Sequence, residues 1–328
     1  MNNFEIICDV CCDLNQELRD KYNIKYVPCH YTTPSGEKKD SYCDWDHVNA
    51  DEFYKDLKKN PNGYSTSPAS PLEFQNAFEN VLKEGKDVLA MSISTGLSGT
   101  YAFMCEAKEA IKDKYPDRKI YVCDTLRYST GFGLMAVYAS IKRSEGATID
   151  ETFNYLEENK NRFHQMGFLD DLSFVAKKGR ISKPKAFMGQ LVGIKPFGEF
   201  SPNGLTTVLG QTRGDKNAIK GIVEYMKKTI ENPENQLIFI ASTNRDKQAN
   251  MLKEEIVKTF NPKEVIITKV YVQDAINIGP GLMCAYYYGK KISDNLEIER
   301  GYVQEILKTL QLKKEDKLDV VFFLFITK

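Results

Sequence analysis

The chain has 328 residues and carries 45 Lys plus Arg against 45 Asp plus Glu, a formal net charge of zero, with 42% apolar and 27% charged residues. That composition is ordinary for a globular protein, and the length corresponds to two domains at about 150 residues each. Balanced charge offers no field to draw in a nucleic-acid backbone or an anionic membrane surface, and no apolar run approaches the ~18–20 residues of a helical membrane span.

The opening residues, MNNFEIICD, lack the basic start, apolar stretch and small-residue cleavage site of a signal peptide, so a cytoplasmic location is expected. Phe4 to Cys8 is a short apolar run ending at Asp9, and Asp13-Leu14 opens an amphipathic stretch to about Tyr22. Tyr26-Val27 starts another extended piece, and Pro34-Ser35-Gly36 is a turn signal. Asn49 or Asp51 is placed to cap the next helix. Ser70, Pro71 and Glu73 form an N-cap, a first-turn proline and a capping-box partner, and Phe74, Ala77, Phe78, Val81 and Leu82 follow at helical period until Gly85. The strand DVLAMSIS leads into the loop TGLSGTY and a helix from about Ala102 to Lys114. Lys119 to Cys123 reads as a strand, and a helix follows Asp124-Thr125.

Strand, polar loop and helix in repetition predict a parallel sheet with crossover helices. Ligands of such sheets bind beyond the carboxyl ends of the strands, which puts Asp9, Ser94 to Thr100 and Asp124 on one rim. From about Gly167 short helices mix with β-branched runs, LTTVLG, QLIFIAST and EVIITKVYV, and a plain βαβ series is no longer visible. The expected architecture is therefore α/β with two domains, a parallel-sheet N-terminal domain over 1–163 and an α+β domain over 164–292. A tail over 293–328 carries one helix and the apolar run Val320 to Ile326, and suits either a cap on the second domain or a partner-docking helix.

Cys8 and Cys11 form a C-x-x-C, but only His30, His47 and His164 are present, and Cys29 and Cys43 lack a paired close spacing for zinc. The eight cysteines are expected to be reduced thiols packing as small hydrophobes, with no metal site. Three loops are rich in hydroxyls and small residues: Thr66-Ser67, Ser94 to Thr100, and Gly279-Pro280-Gly281. Hydroxyls and backbone N–H groups at a helix start make a neutral cradle for an anion; the same residues also serve simply as caps and turns. Gly96-Leu97-Ser98-Gly99-Thr100 is a partial nucleophile elbow ending in Thr rather than Gly, so a serine-dependent esterase or acyltransferase using Ser98 stands as the rival reading, one that needs a base. No Walker phosphate loop is present, and Gly131-Phe132-Gly133 reads as close packing of a helix.

Taken together the loops resemble the DegV family of bacterial fatty-acid-binding proteins, from Ile6 to about Lys291. The family's D-S-x-x-D-L appears as Asp9-Val10-Cys11-Cys12-Asp13-Leu14, its T-S-x-P-S-P as Thr66-Ser67-Pro68-Ala69-Ser70-Pro71, and its S-S-G-L-S-G-T-Y as Ser94 to Tyr101. Asp124-Thr125 with Gly131, Leu172 with Gly179-Arg180-Ile181-Ser182, Ile194-Lys195-Pro196, Arg213 and Gly279-Pro280-Gly281 follow in order. The resemblance implies a carrier rather than an enzyme, with no cofactor. One long-chain fatty acid would lie in a slot between two domains and be presented to a separate fatty acid kinase subunit for acyl phosphate formation in phospholipid synthesis. Carried over by motif, Thr66 and Ser98 would hold the carboxylate with the Gly99 N–H, supported by Ser94, Thr95 and Asn277. Arg180 and Arg213 match positions that contact the kinase or the phosphoryl group, and both also suit salt bridges. Asn277 stands where the family has His, so it donates through its amide but carries no titrating proton. Val10 replaces a serine and removes one hydroxyl from the rim. Phe168, Phe174, Phe187, Met188, Leu191 and Ile194 are candidates to line the acyl chain, whose ~15 methylenes at ~0.8 kcal/mol each represent a gross ~12 kcal/mol.

Overall fold

A computed structural model describes residues 3–181 and 193–310. Ser182, Phe187, Met188, Leu191 and the run 320–326 lie outside the described residues.

The first sheet is parallel throughout, with β1 (Phe4–Asp9) at its centre beside β2 (Ile24–Val27) and β6 (Asp87–Ser92), and β7 (Ile120–Asp124) beyond β6. Every residue of β1 is buried, as expected of a central strand covered on both faces. Helices α1 (Gln16–Tyr22), α3 (Pro71–Lys83), α4 (Thr100–Ile111), α5 (Ser129–Ser144) and α6 (Ile149–Asn159) supply the crossovers and covering layers. The expected capping box is present on α3, where the Ser70 and Glu73 side chains satisfy one another's backbone N–H, and a second, Thr148 with Glu151, starts α6. Asn49, not Asp51, caps α2 (Ala50–Lys59) by accepting from the Glu52 N–H at 3.1 Å.

A small antiparallel sheet, not foreseen from the sequence, stands at the edge: β3 (Cys29–Thr32) lies between β4 (Lys38–Ser41) and β5 (Ser65–Ser67). Its hairpin turns at Pro34 to Gly36, where Gly36 takes φ +84°. The sheet matters because β5 carries Thr66.

The second sheet runs β10-β9-β8-β13-β11-β12, formed by β8 (Phe163–Leu169), β9 (Ile194–Phe200), β10 (Thr206–Arg213), β11 (Leu237–Ser242), β12 (Glu264–Lys269) and β13 (Leu282–Tyr288). All neighbours are antiparallel except β11 and β12, which are joined through α9 (Asp246–Phe260), so one βαβ crossover survives in this half. Between β8 and β9 stands α7 (Ser173–Lys177), between β10 and β11 α8 (Asp215–Thr229), and between β12 and β13 α10 (Val272–Ile278).

Helix α5 is the shared wall, touching β1 and β2 of the first sheet and β8, β11 and β13 of the second. Its glycines are the reason it fits. A Cβ on Gly133 would stand 2.2 Å from the Cys12 carbonyl oxygen, and one on Gly131 would stand 2.8 Å from the Phe200 ring. The Gly131-Phe132-Gly133 run is thus a packing surface within a helix. Residues 297–310 form a further helix, α11, laid on β10 and α8. Val303 and Ile306 are buried, the Arg300 guanidinium donates to the Val208 carbonyl at 3.3 Å, and Lys228 pairs with Glu305 at 2.9 Å. Over its described length the tail therefore caps the second domain.

Seven of the cysteines are buried and Cys105 is half-buried; all eight are unpaired, with Cys12 and Cys43 sulfurs 3.9 Å apart. Among the described residues no group of three or more His, Cys, Asp and Glu is disposed to hold a metal ion, and no helix is long and apolar enough to cross a membrane.

Candidate functional site

A cavity of about 420 Å³ opens where three segments meet: β5 with Thr66, the loop from Thr95 to Gly99 ahead of α4, and α10 with Asn277. Each is placed by ordinary local chemistry. Thr66 pairs with Tyr31 across the small sheet. The 94–99 loop turns on Ser94, whose carbonyl accepts from Leu97 N at 3.0 Å and Ser98 N at 3.1 Å, while its hydroxyl accepts from Gly96 N at 3.1 Å. Asn277 donates through Nδ2 to the Gln273 carbonyl at 3.0 Å and to Thr66 Oγ1 at 3.2 Å, tying α10 to the small sheet.

The rim foreseen beyond the first sheet is formed. Asp9, at the end of β1, accepts from Ile93 N at 2.7 Å and Cys11 N at 2.8 Å. Asp124, at the end of β7, accepts from the Thr95 hydroxyl at 2.6 Å. Thr95 thus lines the cavity with its hydroxyl already committed to Asp124. Ser98, two residues ahead of α4, lines the cavity; its hydroxyl lies 2.8 Å from Thr100 Oγ1 and accepts from Thr100 N at 3.3 Å. Gly99 also lines the cavity; it has an ordinary φ of −79°, and a Cβ there would meet nothing within 4 Å.

One of the expected ligand contacts sits elsewhere, and of the two arginines expected to meet a partner only one borders the cavity. Ser94 is fully buried and packs under the 201–204 turn, so close that a Cβ on Gly204 would overlap its hydroxyl; it builds the loop and does not line the cavity. Arg180 stands exposed on the cavity rim, but Arg213 does not line it. Ile181, next to Arg180, bridges to Thr206 at the start of β10, whereas Arg213 ends that strand.

A second, narrower cavity of about 50 Å³ continues into the second domain. Tyr128, Val175 and Ile278 line both cavities and form the neck between them. Phe168, Leu169, Leu172, Pro196, Val208 and Leu282 supply its apolar wall, while Gly167 and Gly198, paired across β8 and β9, add no side chain. Of the remaining apolar candidates, Phe174 packs beneath Gly279 and Ile194 opposes Arg213 at the strand end; neither lines the slot. Tyr128 is held at the neck by its hydroxyl, which donates to Gln165 Oε1 at 3.0 Å and also contacts Thr206 Oγ1. Its loop is strained on either side, with Leu126 at φ 52° and Ser129 at φ 50°. The buried Arg127 guanidinium holds it there, donating to the Phe163 carbonyl at 2.7 Å and the Leu126 carbonyl at 2.8 Å. Burial lowers that guanidinium's pKa to about 10, so it stays charged at neutral pH.

The rival reading needs a base at Ser98. Among the described residues no histidine lines the cavity: His30 bonds Asp40 and Glu73, His164 bonds Glu199 and the Lys290 carbonyl, and His47 packs on Tyr42. The floor is instead acidic, a feature the sequence did not disclose. Asp274 and Gln273 of α10 are buried and line the cavity, and Asp274 Oδ2 and Gln273 Oε1 have no hydrogen-bond partner. Burial raises Asp9 to about 7; burial and then the Asp9 charge raise Asp274 to about 8. Asp13 is raised as well, by burial and then by Asp274.

The sequence model described as uncharacterised protein, DegV family, matches residues 3–290. A DegV domain-containing protein of Clostridium perfringens is 30% identical over 88% of this chain and 98% of its own length. A Thermus thermophilus DegV family protein, whose structure is described as showing fatty acid binding, superposes with TM-score 0.79 at 24% identity, covering 88% of this chain and all (100%) of that one. A stearic acid-binding protein of Eubacterium ventriosum superposes with TM-score 0.76 at 19% identity over 88% and 99% of the two chains. With two sheets sharing one helical wall, a hydroxyl loop ahead of α4 and a family match over nearly its whole length, the chain belongs to the DegV family.

Proposed function

We propose that the protein binds one long-chain fatty acid, with the carboxylate in the 420 Å³ cavity and the acyl chain passing the neck into the second domain. The observation that carries this reading is the convergence of donors without a cation at their centre. Thr66 and Ser98 with their hydroxyls and Gly99 with its N–H all line one cavity that continues into an apolar slot, and the Asn277 amide, whose two N–H groups go to Thr66 Oγ1 and the Gln273 carbonyl, holds the Thr66 hydroxyl in place. Hydrogen bonds to a charged acceptor are about twice as strong as neutral ones, so such donors hold a carboxylate without a buried Lys or Arg. Chain burial supplies the bulk of the affinity, and the cradle sets orientation.

The slot as it stands is smaller than a ligand cavity of several hundred Å³, so an entering chain parts its walls. The neck residue Val175 sits on the short, half-buried α7, the element best placed to move. Exposed Arg180 beside the mouth suits a docking partner, and the protein would present its acid to a separate fatty acid kinase subunit that forms the acyl phosphate. The test is denaturing extraction of protein purified from a bacterial host, followed by incubation of the reloaded protein with a fatty acid kinase and ATP. About one free fatty acid released per chain, and acyl phosphate formed only with kinase present, is the expected outcome. Protein that neither carries nor takes up a fatty acid refutes binding; a loaded protein that no kinase accepts refutes presentation alone.

A further inference from the structure

The cavity floor holds more acid than a carboxylate receptor should tolerate. The turn at residues 10–12 brings Asp9 and Asp13 beneath the cavity, and α10 brings Asp274 against them. Asp9 accepts two backbone N–H groups, from Cys11 and Ile93. Asp13 accepts the Ser129 hydroxyl at 2.5 Å and the Tyr271 N–H at 2.9 Å. Donors of this kind favour the ionised form against the burial that opposes it, so of the three acids Asp274 has the least support for a charge. Asp274 is 5% exposed and lines the cavity, and its Oδ2, shut off from solvent, has no donor.

The other groups around Asp274 give it no countercharge. The turn presents the thiols of Cys11 and Cys12, β3 presents Cys29, and the Tyr54 hydroxyl of α2 also faces the cluster. On the α7 side Lys178 donates to the Tyr64 carbonyl at 2.7 Å, and exposed Arg180 stands at the rim. β5 and the strand end at Ile93 bring only neutral groups. Two carboxylates in one low-dielectric cavity cannot both ionise, and a ligand carboxylate on Thr66, Ser98 and Gly99 would be the second.

We propose that Asp274 is a specificity residue that meets the ligand as a neutral acid, so that the ligand's acid group and Asp274 hold one proton between them. This rests on the fatty-acid reading and deepens it: the head group selected is an acid of at most one negative charge, and its binding is linked to a proton. The proton already resides on the cluster near neutral pH, consistent with the upward shift of Asp274 to about 8. At pH 9 the apo site has lost it, and an ionised ligand must bring one in from solvent.

The experiment is calorimetry of dodecanoate, kept below its micelle-forming concentration, with the full-length protein in two buffers of different ionisation enthalpy between pH 6.5 and 9.5. Native protein should take up close to one proton per ligand at pH 9 and almost none at pH 6.5, with affinity falling about tenfold per pH unit above about 8. Asp274→Asn keeps a donor of the same shape. It should take up no proton at pH 9 and show no slope of affinity with pH. Thermal melting of that variant checks its fold, and Asp274→Leu, which lacks the donor, should bind more weakly at every pH. A native protein whose affinity is flat across the range, or an Asn variant that retains the slope, overturns the proposal while leaving fatty-acid binding standing. Absence of dodecanoate binding by native protein at pH 7 overturns both.

Discussion

Replacing Val175 with Phe separates the head group's contribution from the chain's. Val175 lines both cavities at the neck, and the slot beyond it is only about 50 Å³, so one aromatic ring is enough to close the passage. In the native protein each methylene carried past the neck should add ~0.8 kcal/mol, about fourfold in affinity. From butanoate to dodecanoate eight methylenes amount to a gross ~6 kcal/mol. If the ring denies the chain about half of that, dodecanoate loses ~3 kcal/mol, or about 150-fold. Butanoate, which stays in the head cavity, should change by less than about threefold. Calorimetry over the series from octanoate to tetradecanoate, with NMR titration for butanoate, reads both quantities, and the melting temperature reports the fold. α7 is short and Val175 is half-buried, so the substitution should cost little stability. A folded variant with the native slope per methylene would show that the chain does not pass this neck. Equal losses for butanoate and dodecanoate would show that head and chain are not separate sites.

Three further outcomes follow from the same geometry. Thr66→Val removes one hydroxyl and leaves Asn277 its bond to the Gln273 carbonyl; it should weaken carboxylate binding by ~1.5–3 kcal/mol, with no matching loss for dodecanol, measured by competition against a fluorescent fatty acid. Gly99→Ala meets no protein atom and needs no unusual φ, so its melting temperature should stay within a few degrees of native while fatty-acid affinity, read by calorimetry, falls at least about tenfold. Asp274→Asn should also change apo stability with pH. The folded pKa lies above the unfolded value near ~3.9, so native stability is full below that value, declines as pH rises toward about 8 and is level beyond. The Asn variant lacks this decline, and its advantage in urea unfolding should grow by ~2–3 kcal/mol between pH 6 and 8; an advantage independent of pH would refute the assignment.

What the sequence discloses of the fold is whatever local chemistry decides. Ser70, Pro71 and Glu73 write the start of α3 into adjacent residues, and the apolar run to Cys8 can only be a covered strand once Asp9 ends it. The site is different because its parts are assigned by partners far along the chain. Ser94 and Ser98 sit in one short loop with the same chemistry. Ser94 is turned inward because the 201–204 turn, over a hundred residues later, packs on it, whereas Ser98, just ahead of α4, lines the cavity. No pattern in residues 94–100 contains that difference. The small sheet is hidden for a similar reason, since β5 is three residues of Ser and Thr whose extended form depends on pairing with β3.

Asp274 shows how far this goes. In sequence, Gln273, Asp274 and Asn277 look like the exposed face of a short polar helix, the usual fate of such residues. α10 is wedged among the small sheet, α7 and the turn at residues 10–12, so that nearly all of it is buried and its polar face becomes the cavity floor. Asn277, at the level of Thr66, keeps its amide bonded, whereas Asp274 and Gln273, one turn deeper, each keep an atom without a partner. Both atoms are shut off from solvent, so their missing partners are a cost that the apo fold carries at this site. The same helix therefore sets both halves of recognition, closing the cradle through Asn277 and limiting the head group's charge through Asp274, while its last residue, Ile278, borders the route to the chain slot.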